Sequence, residues 1–192
     1  MDLQRWVAFY LPFFDSLAEA EGFVIRCEQQ TPPNNTAKIM MHQTQRLIST
    51  TDRIPELRLH SEPLQLLFLM ISAEHIAKLY EGFQSEGKSH EYTYKFFETF
   101  VSAEDRNKLQ YDFADNNDRP LGLKRTIDLL YAIRCDVVHE GRFWGFAFHD
   151  GTTSMQNADP DVMVRLSLCE LRDIVVRGCI TAIKQELLRS SN

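Results

Sequence analysis

The sequence contains no apolar run long enough to cross a bilayer. Its longest apolar stretch, residues 64–73, includes Gln65 and Ser72 and is far shorter than the roughly 20 residues that a membrane helix requires. The first residues form no basic leader, and Arg5 and Pro12 interrupt their apolar pattern. We therefore expect no membrane partner, and we expect the protein to reside in the cytoplasm.

The sequence also lacks the residue spacings that hold metals or form disulfide frameworks. Its four cysteines show no paired-ligand spacing. Five of its six histidines, all except His139, show no such spacing with cysteine, aspartate or glutamate. We expect reduced thiols, no metal site and no cofactor.

Positive charge is scarce in this chain. Lysine and arginine number 21 against 27 aspartates and glutamates, so the formal net charge is -6. Non-specific binding of a polyanion depends on clustered lysine and arginine. The charge balance therefore excludes a general attraction to nucleic acid, and any contact with RNA must come from a local patch.

Apolar residues recur at spacings of three and four, which is the pattern of amphipathic helices. Ser61, Ser102 and Ser167 precede three of the periodic segments and are predicted to cap them. No linker divides the chain, so we predict an all-α fold and a single domain over residues 1–192. The predicted helices cover 3–20 with a kink at Pro12, 36–50, 61–83, 91–101, 102–113, 121–139 and 167–188.

One segment departs from the helical pattern. Residues 143–148 alternate and place three aromatic side chains on one face, and Asp150 with Gly151 forms a hairpin turn signal. We predict a small β-hairpin insertion after the helix that ends near residue 139, with the return strand at 162–166. The alternation favours packing of the aromatic side chains on helices over stacking with RNA bases.

Arg134 and His139 are the residues best suited to chemistry. A guanidinium is a permanent, fork-shaped ligand for phosphate, and an imidazole can move a proton near neutral pH. Cleavage of RNA through its 2'-hydroxyl needs a phosphate ligand and proton transfer. Residues five apart lie about 140° from each other on an ideal helix. The side chains of Arg134 and His139 therefore converge on one cleft only if the helix ends near His139. Gly141 favours such an end.

Residues 129–141, Leu-Leu-Tyr-Ala-Ile-Arg-Cys-Asp-Val-Val-His-Glu-Gly, resemble the signature helix of the HEPN family. In that family an arginine is followed, after four to six residues, by a histidine, with an apolar helix before the motif and another helix after it. The family commonly has a polar residue directly after the arginine, where this chain has Cys135. The resemblance implies a HEPN-like helical bundle over 61–192, with 1–60 as a helical extension packed on it.

The resemblance also implies a function. HEPN proteins are usually homodimers in which two motifs face each other and form a metal-independent endoribonuclease site. Here Arg134 and His139 of both chains would be catalytic, with RNA as the substrate. Asp136, Glu74 and Tyr131 would be supporting residues, with Glu74 orienting Arg134. The family's usual setting is phage defence or a toxin–antitoxin system, so an antitoxin or another protein is an expected partner.

Structural roles are open for the same residues. Arg134 has potential ion-pair partners in Asp128, Glu74 and Asp136, and His139 could cap its own helix. Glu74 and Lys78 have the spacing of an ordinary i,i+4 pair on a helix surface. The alternative for the whole protein is therefore a non-catalytic helical module that mediates interactions or binds a nucleotide.

Overall fold

Helices form most of the computed structural model, which describes residues 3–56, 61–82, 87–140, 148 and 162–190. The described residues include eight α-helices and two short strands, which confirms the predicted all-α class. The helices are α1 (Leu3–Tyr10), α2 (Leu17–Glu28), α3 (Thr36–Arg53), α4 (Glu62–Tyr80), α5 (Ser89–Thr99), α6 (Ala103–Tyr111), α7 (Leu123–Glu140) and α8 (Leu168–Arg189), and the strands are β1 (Phe113–Asp115) and β2 (Val162–Val164).

The central element is α4, which contacts α3, α5, α7 and α8. Its apolar residues are spread around the helix, so neighbours can cover it from several directions. Leu66, Leu69, Met70 and Ile76 are all essentially inaccessible to solvent. The N-terminal helices α1 and α2 pack against each other, and α2 packs on α3. No helix in the described residues is both long and apolar enough to span a membrane.

Proline and serine residues mark several of the helix boundaries. The predicted first helix is divided at Pro12, where a 3-10 turn, Leu11–Phe13, separates α1 from α2. Ser102 and Ser167 cap their helices as predicted, and Ser167 forms a full capping box with Glu170. The predicted cap at Ser61 is wrong. Its backbone is already helical, and its side chain makes no capping hydrogen bond.

The return strand of the predicted hairpin has a partner that the sequence did not predict. The return strand is present as β2, but it pairs with β1 in antiparallel register, with Phe113 opposite Val164 and Asp115 opposite Val162. The sequence predicted the end of a helix and a loop at β1. Residues 143–147, the other half of the predicted hairpin, lie outside the described residues. Phe148 is buried, as the packing role predicted for it requires.

A glycine allows close contact between α5 and α8. A Cβ added at Gly178 would lie 2.7 Å from Cζ of Phe96 and 3.2 Å from Cγ2 of Val101. Phe96 is fully buried and packs edge-on against Phe97, with ring centroids 5.3 Å apart. Its ring therefore has little room to move, and it can rest against the backbone of α8 in this way only because residue 178 has no side chain.

We predict that Gly178→Ala lowers the free energy of unfolding by about 1–3 kcal/mol, because overpacking at Phe96 outweighs the gain in helix propensity. Gly22→Ala is the matched control, since Gly22 lies inside α2 and its added Cβ would meet nothing within 4 Å. We expect this control to stabilise the protein by up to about 1 kcal/mol. Urea unfolding of both variants measures the difference, and equal effects would contradict the packing argument.

Candidate functional site

The helix α7 carries the whole motif and continues one residue beyond it, to Glu140. Arg134 and His139 are both inside this regular helix, so they lie about 140° apart around its axis. Arg134 is turned towards α4 and its side chain is only 17% exposed, whereas His139 is exposed. Within one chain, the helix therefore does not bring the two motif residues to a common point.

Arg134 is held between an acid and an aromatic ring. Its Nη2 lies 3.4 Å from Oε2 of Glu74 on α4, and its Cζ lies 5.3 Å from the centre of the Tyr131 ring. Nη1 is 4.0 Å from Sγ of Cys135, which is a weak contact. In the described part of the chain, the buried Nε has no hydrogen-bond partner. The guanidinium is thus positioned, but among the described residues several of its N–H donors have no partner.

Glu74 is the buried acid at the centre of this cluster. Lys78 and the hydroxyl of Ser89 both donate to its Oε1, the latter at 2.6 Å. Burial acts to raise the pKa of Glu74, but the hydrogen bonds from Lys78 and Ser89 and the charges of Lys78 and Arg134 outweigh it, so the pKa is lowered. The predicted i,i+4 contact with Lys78 is therefore present, but it is buried instead of lying on the surface.

Tyr131 links Arg134 to a second polar group. The ring of His90 on α5 contacts Tyr131 edge-on, with centroids 4.8 Å apart. His90 Nε2 lies 2.8 Å from Oδ1 of Asp128, and Lys124 donates to the other oxygen of Asp128 at 2.8 Å. Burial raises the pKa of Tyr131 despite the opposing charge of Arg134.

Sequence reasoning did not identify His90 or Ser89 as members of this cluster. His90 lies 38 residues from Asp128 along the chain, and no motif spacing connects them. Of the residues predicted at the site, Glu74, Tyr131 and Arg134 lie together. Ion pairing of Arg134 with Asp128 is not observed, because Asp128 binds Lys124 and His90 instead.

Asp136 and His139 lie away from that cluster. Asp136 is half-buried and His139 is exposed. Within the described residues, neither side chain makes a hydrogen bond or an ion pair. Val138 beside them is 49% exposed, which is high for a valine on a core helix. The described ranges contain no group of three or more histidine, cysteine, aspartate or glutamate side chains that could hold a metal ion.

No family model matches this chain, and neither a curated protein nor a solved structure matches it. The resemblance to the HEPN family therefore remains a prediction that rests on residues 129–141.

We predict that Glu74→Gln lowers the free energy of unfolding by about 3 kcal/mol at neutral pH, because it leaves two poorly exposed cations without their shared carboxylate. Glu91→Gln is the matched control, since Glu91 is 68% exposed and its contact with Lys88 is 3.7 Å long. We expect that control to change stability by less than about 1 kcal/mol. Urea unfolding measures both variants.

The free energies of unfolding of wild type and Glu74→Gln, compared at different pH values, give a second test. The folded-state pKa of Glu74 is lowered, so its ionised form stabilises the protein fully above the pKa of the unfolded chain. That stabilisation is lost as the pH falls through the folded-state pKa. We expect the difference between wild type and Glu74→Gln to shrink in acid. A difference that stays constant down to the acid transition would show that Glu74 acts through packing alone.

Proposed function

We propose that this protein is a HEPN-like, metal-independent endoribonuclease that acts as a homodimer. Arg134 binds the scissile phosphate, and His139 transfers a proton. The observation that carries the proposal is a poorly exposed guanidinium, with donors that no described residue occupies, on a helix whose last turn exposes an imidazole. We assign α4 to α8 to the HEPN-like bundle, and α1 to α3 to a helical extension within the same domain.

The local charge favours an anion near Arg134. Among the described side chains, the carboxylate of Glu74 faces two cations, Lys78 and Arg134. Lys78 and Ser89 bind Oε1, so Arg134 has only the longer contact to Oε2. A guanidinium placed in this way keeps N–H donors for a second anion, and phosphate oxygens accept hydrogen bonds from such donors. Glu74 and Tyr131 then act as supports that orient Arg134.

A second copy of the chain would complete the site. His139 points about 140° away from Arg134 on the same helix, so a phosphate on Arg134 needs a histidine from elsewhere. A twofold axis beside α7 would bring His139 of one copy towards Arg134 of the other. The exposed residues Ala132, Val138 and His139 supply a surface for that contact. Asp136, half-buried on the same helix, is a supporting residue at this interface.

The reaction needs no metal in this scheme. The ribose 2'-hydroxyl loses a proton and attacks phosphorus, the bond from phosphorus to O5' breaks, and O5' takes a proton. The guanidinium stabilises the extra negative charge of the phosphorane. The products are a 2',3'-cyclic phosphate and a free 5'-hydroxyl. We expect this activity in the cytoplasm, and the family resemblance implies a role in phage defence or in a toxin–antitoxin pair with an antitoxin as partner.

We predict that the purified protein cleaves a labelled mixed-sequence RNA in excess EDTA. Arg134→Ala and His139→Ala should each lower the rate by at least about 100-fold, because each removes a group that acts in the transition state. His75→Ala and Arg46→Ala are matched controls, since both residues are exposed on other helices, and both should cleave like wild type. Circular dichroism checks the folding of every variant, and sedimentation equilibrium gives the oligomeric state.

The outcomes separate the two functions considered for this chain. Cleavage that only Arg134→Ala and His139→Ala abolish, with cyclic phosphate ends, supports the ribonuclease. No cleavage of any RNA, or equal cleavage by all variants, favours a non-catalytic or nucleotide-binding module in which Arg134 only balances the charge of Glu74. A strict monomer would contradict the shared site directly.

A further inference from the structure

His90 occupies an unusual position for an exposed histidine. Its side chain is 46% exposed, yet it is fixed from two directions on α7. The carboxylate of Asp128 lies 2.8 Å from its Nε2, and the ring of Tyr131 contacts it at an interplanar angle of 81°. Two contacts of this kind restrict the position and the rotation of the imidazole while one edge remains open to solvent.

The same tyrosine ring also positions Arg134. The guanidinium carbon of Arg134 lies 5.3 Å from the ring centre that His90 approaches to 4.8 Å. Within a single chain, a candidate proton-transfer group and a candidate phosphate ligand therefore contact the same tyrosine ring. His139, by contrast, is on another face of α7.

We propose that His90 is a catalytic residue of the Arg134 site and serves as its general base. The proposal rests on the proposed ribonuclease function and deepens it. Each copy of the motif contains one histidine, whereas the reaction needs a base and an acid. His90 supplies the base from the chain that binds the phosphate, and His139 of the second copy supplies the acid.

The role of Asp128 follows from the geometry of the histidine. An ionised carboxylate accepts a hydrogen bond, so in the neutral imidazole Nε2 of His90 carries the proton and Nδ1 keeps its lone pair. Asp128 stays ionised because the hydrogen bonds and charges of Lys124 and His90 lower its pKa, although burial acts to raise it. Asp128 is thus a positioning residue that fixes the tautomer needed for a base.

The proton and electron movements balance in this arrangement. Nδ1 of His90 takes the proton of the 2'-hydroxyl as O2' forms its bond to phosphorus. The bond from phosphorus to O5' breaks, and O5' takes a proton from the imidazolium of His139. The charged and titratable groups that face His90 are Asp128, Lys124 and Tyr131, with Arg134 and Glu74 beyond the tyrosine ring.

The test is single-turnover RNA cleavage in EDTA by His90→Ala and His90→Gln, with His75→Ala as the matched exposed control. Glutamine keeps an N–H donor for Asp128 but cannot transfer the proton. We expect both His90 variants to cleave about 100-fold more slowly than wild type. They should bind an RNA with a 2'-deoxy scissile nucleotide as tightly as wild type, and added imidazole should partly restore cleavage by His90→Ala. Asp128→Asn should shift the acidic limb of the pH–rate profile, because that limb reports the deprotonation of the base.

Three results would overturn the role of His90 as the general base. Cleavage by His90→Gln at the wild-type rate, while Arg134→Ala and His139→Ala are inactive, would overturn the role of His90 and leave the proposed function intact. Loss of cleavage together with loss of RNA binding and no rescue by imidazole would make His90 structural, which also overturns the proposal. No cleavage by the wild-type protein would overturn both proposals together.

Discussion

The burial of Glu74 in α4 is the constraint around which the site is organised. A charge taken out of water is costly unless opposite charges and hydrogen bonds compensate it. The compensation comes from three helices: Lys78 belongs to α4 itself, Ser89 to α5 and Arg134 to α7. One carboxylate therefore fixes α5 and α7 against the central helix. The apolar contacts around α4 supply the free energy of packing, and the ionic cluster fixes which residues of the neighbouring helices face it.

The ion pair between Arg134 and Glu74 also determines which way the other side chains of α7 face. Because Arg134 must face Glu74, the regular helix points His139 towards solvent. The flank between these two directions carries Tyr131 and Asp128, which contact His90 on α5. Polar side chains therefore lie along one side of α7, between the poorly exposed Arg134 and the exposed His139. The opposite side, with Leu130 and Ile133, belongs to the apolar core.

The helical class could be predicted because most of the chain repeats its apolar residues every three or four positions. Proline at residue 12 marked the first break, and Ser167 with Glu170 marked the start of α8. The strand β1 could not be predicted, since three residues are too few to show a period of two. In the polar cluster on α7, the contact of Arg134 with Glu74 was predicted, but the contacts of His90 were not. Its contact with Asp128 depends on how α5 packs on α7, and no local spacing encodes that packing.

The absence of a side chain at Gly178 has a consequence far from its own position. Phe96 rests against that glycine, and Phe96 belongs to the helix that begins with Ser89 and His90. A helix transmits a displacement along its axis as a nearly rigid rod. A shift of the Phe96 ring would therefore also displace Ser89 and His90 at the start of the same helix. Functional groups must be held within about half an ångström of their productive geometry, so this packing contact also bears on the proposed site, although no substrate would touch it.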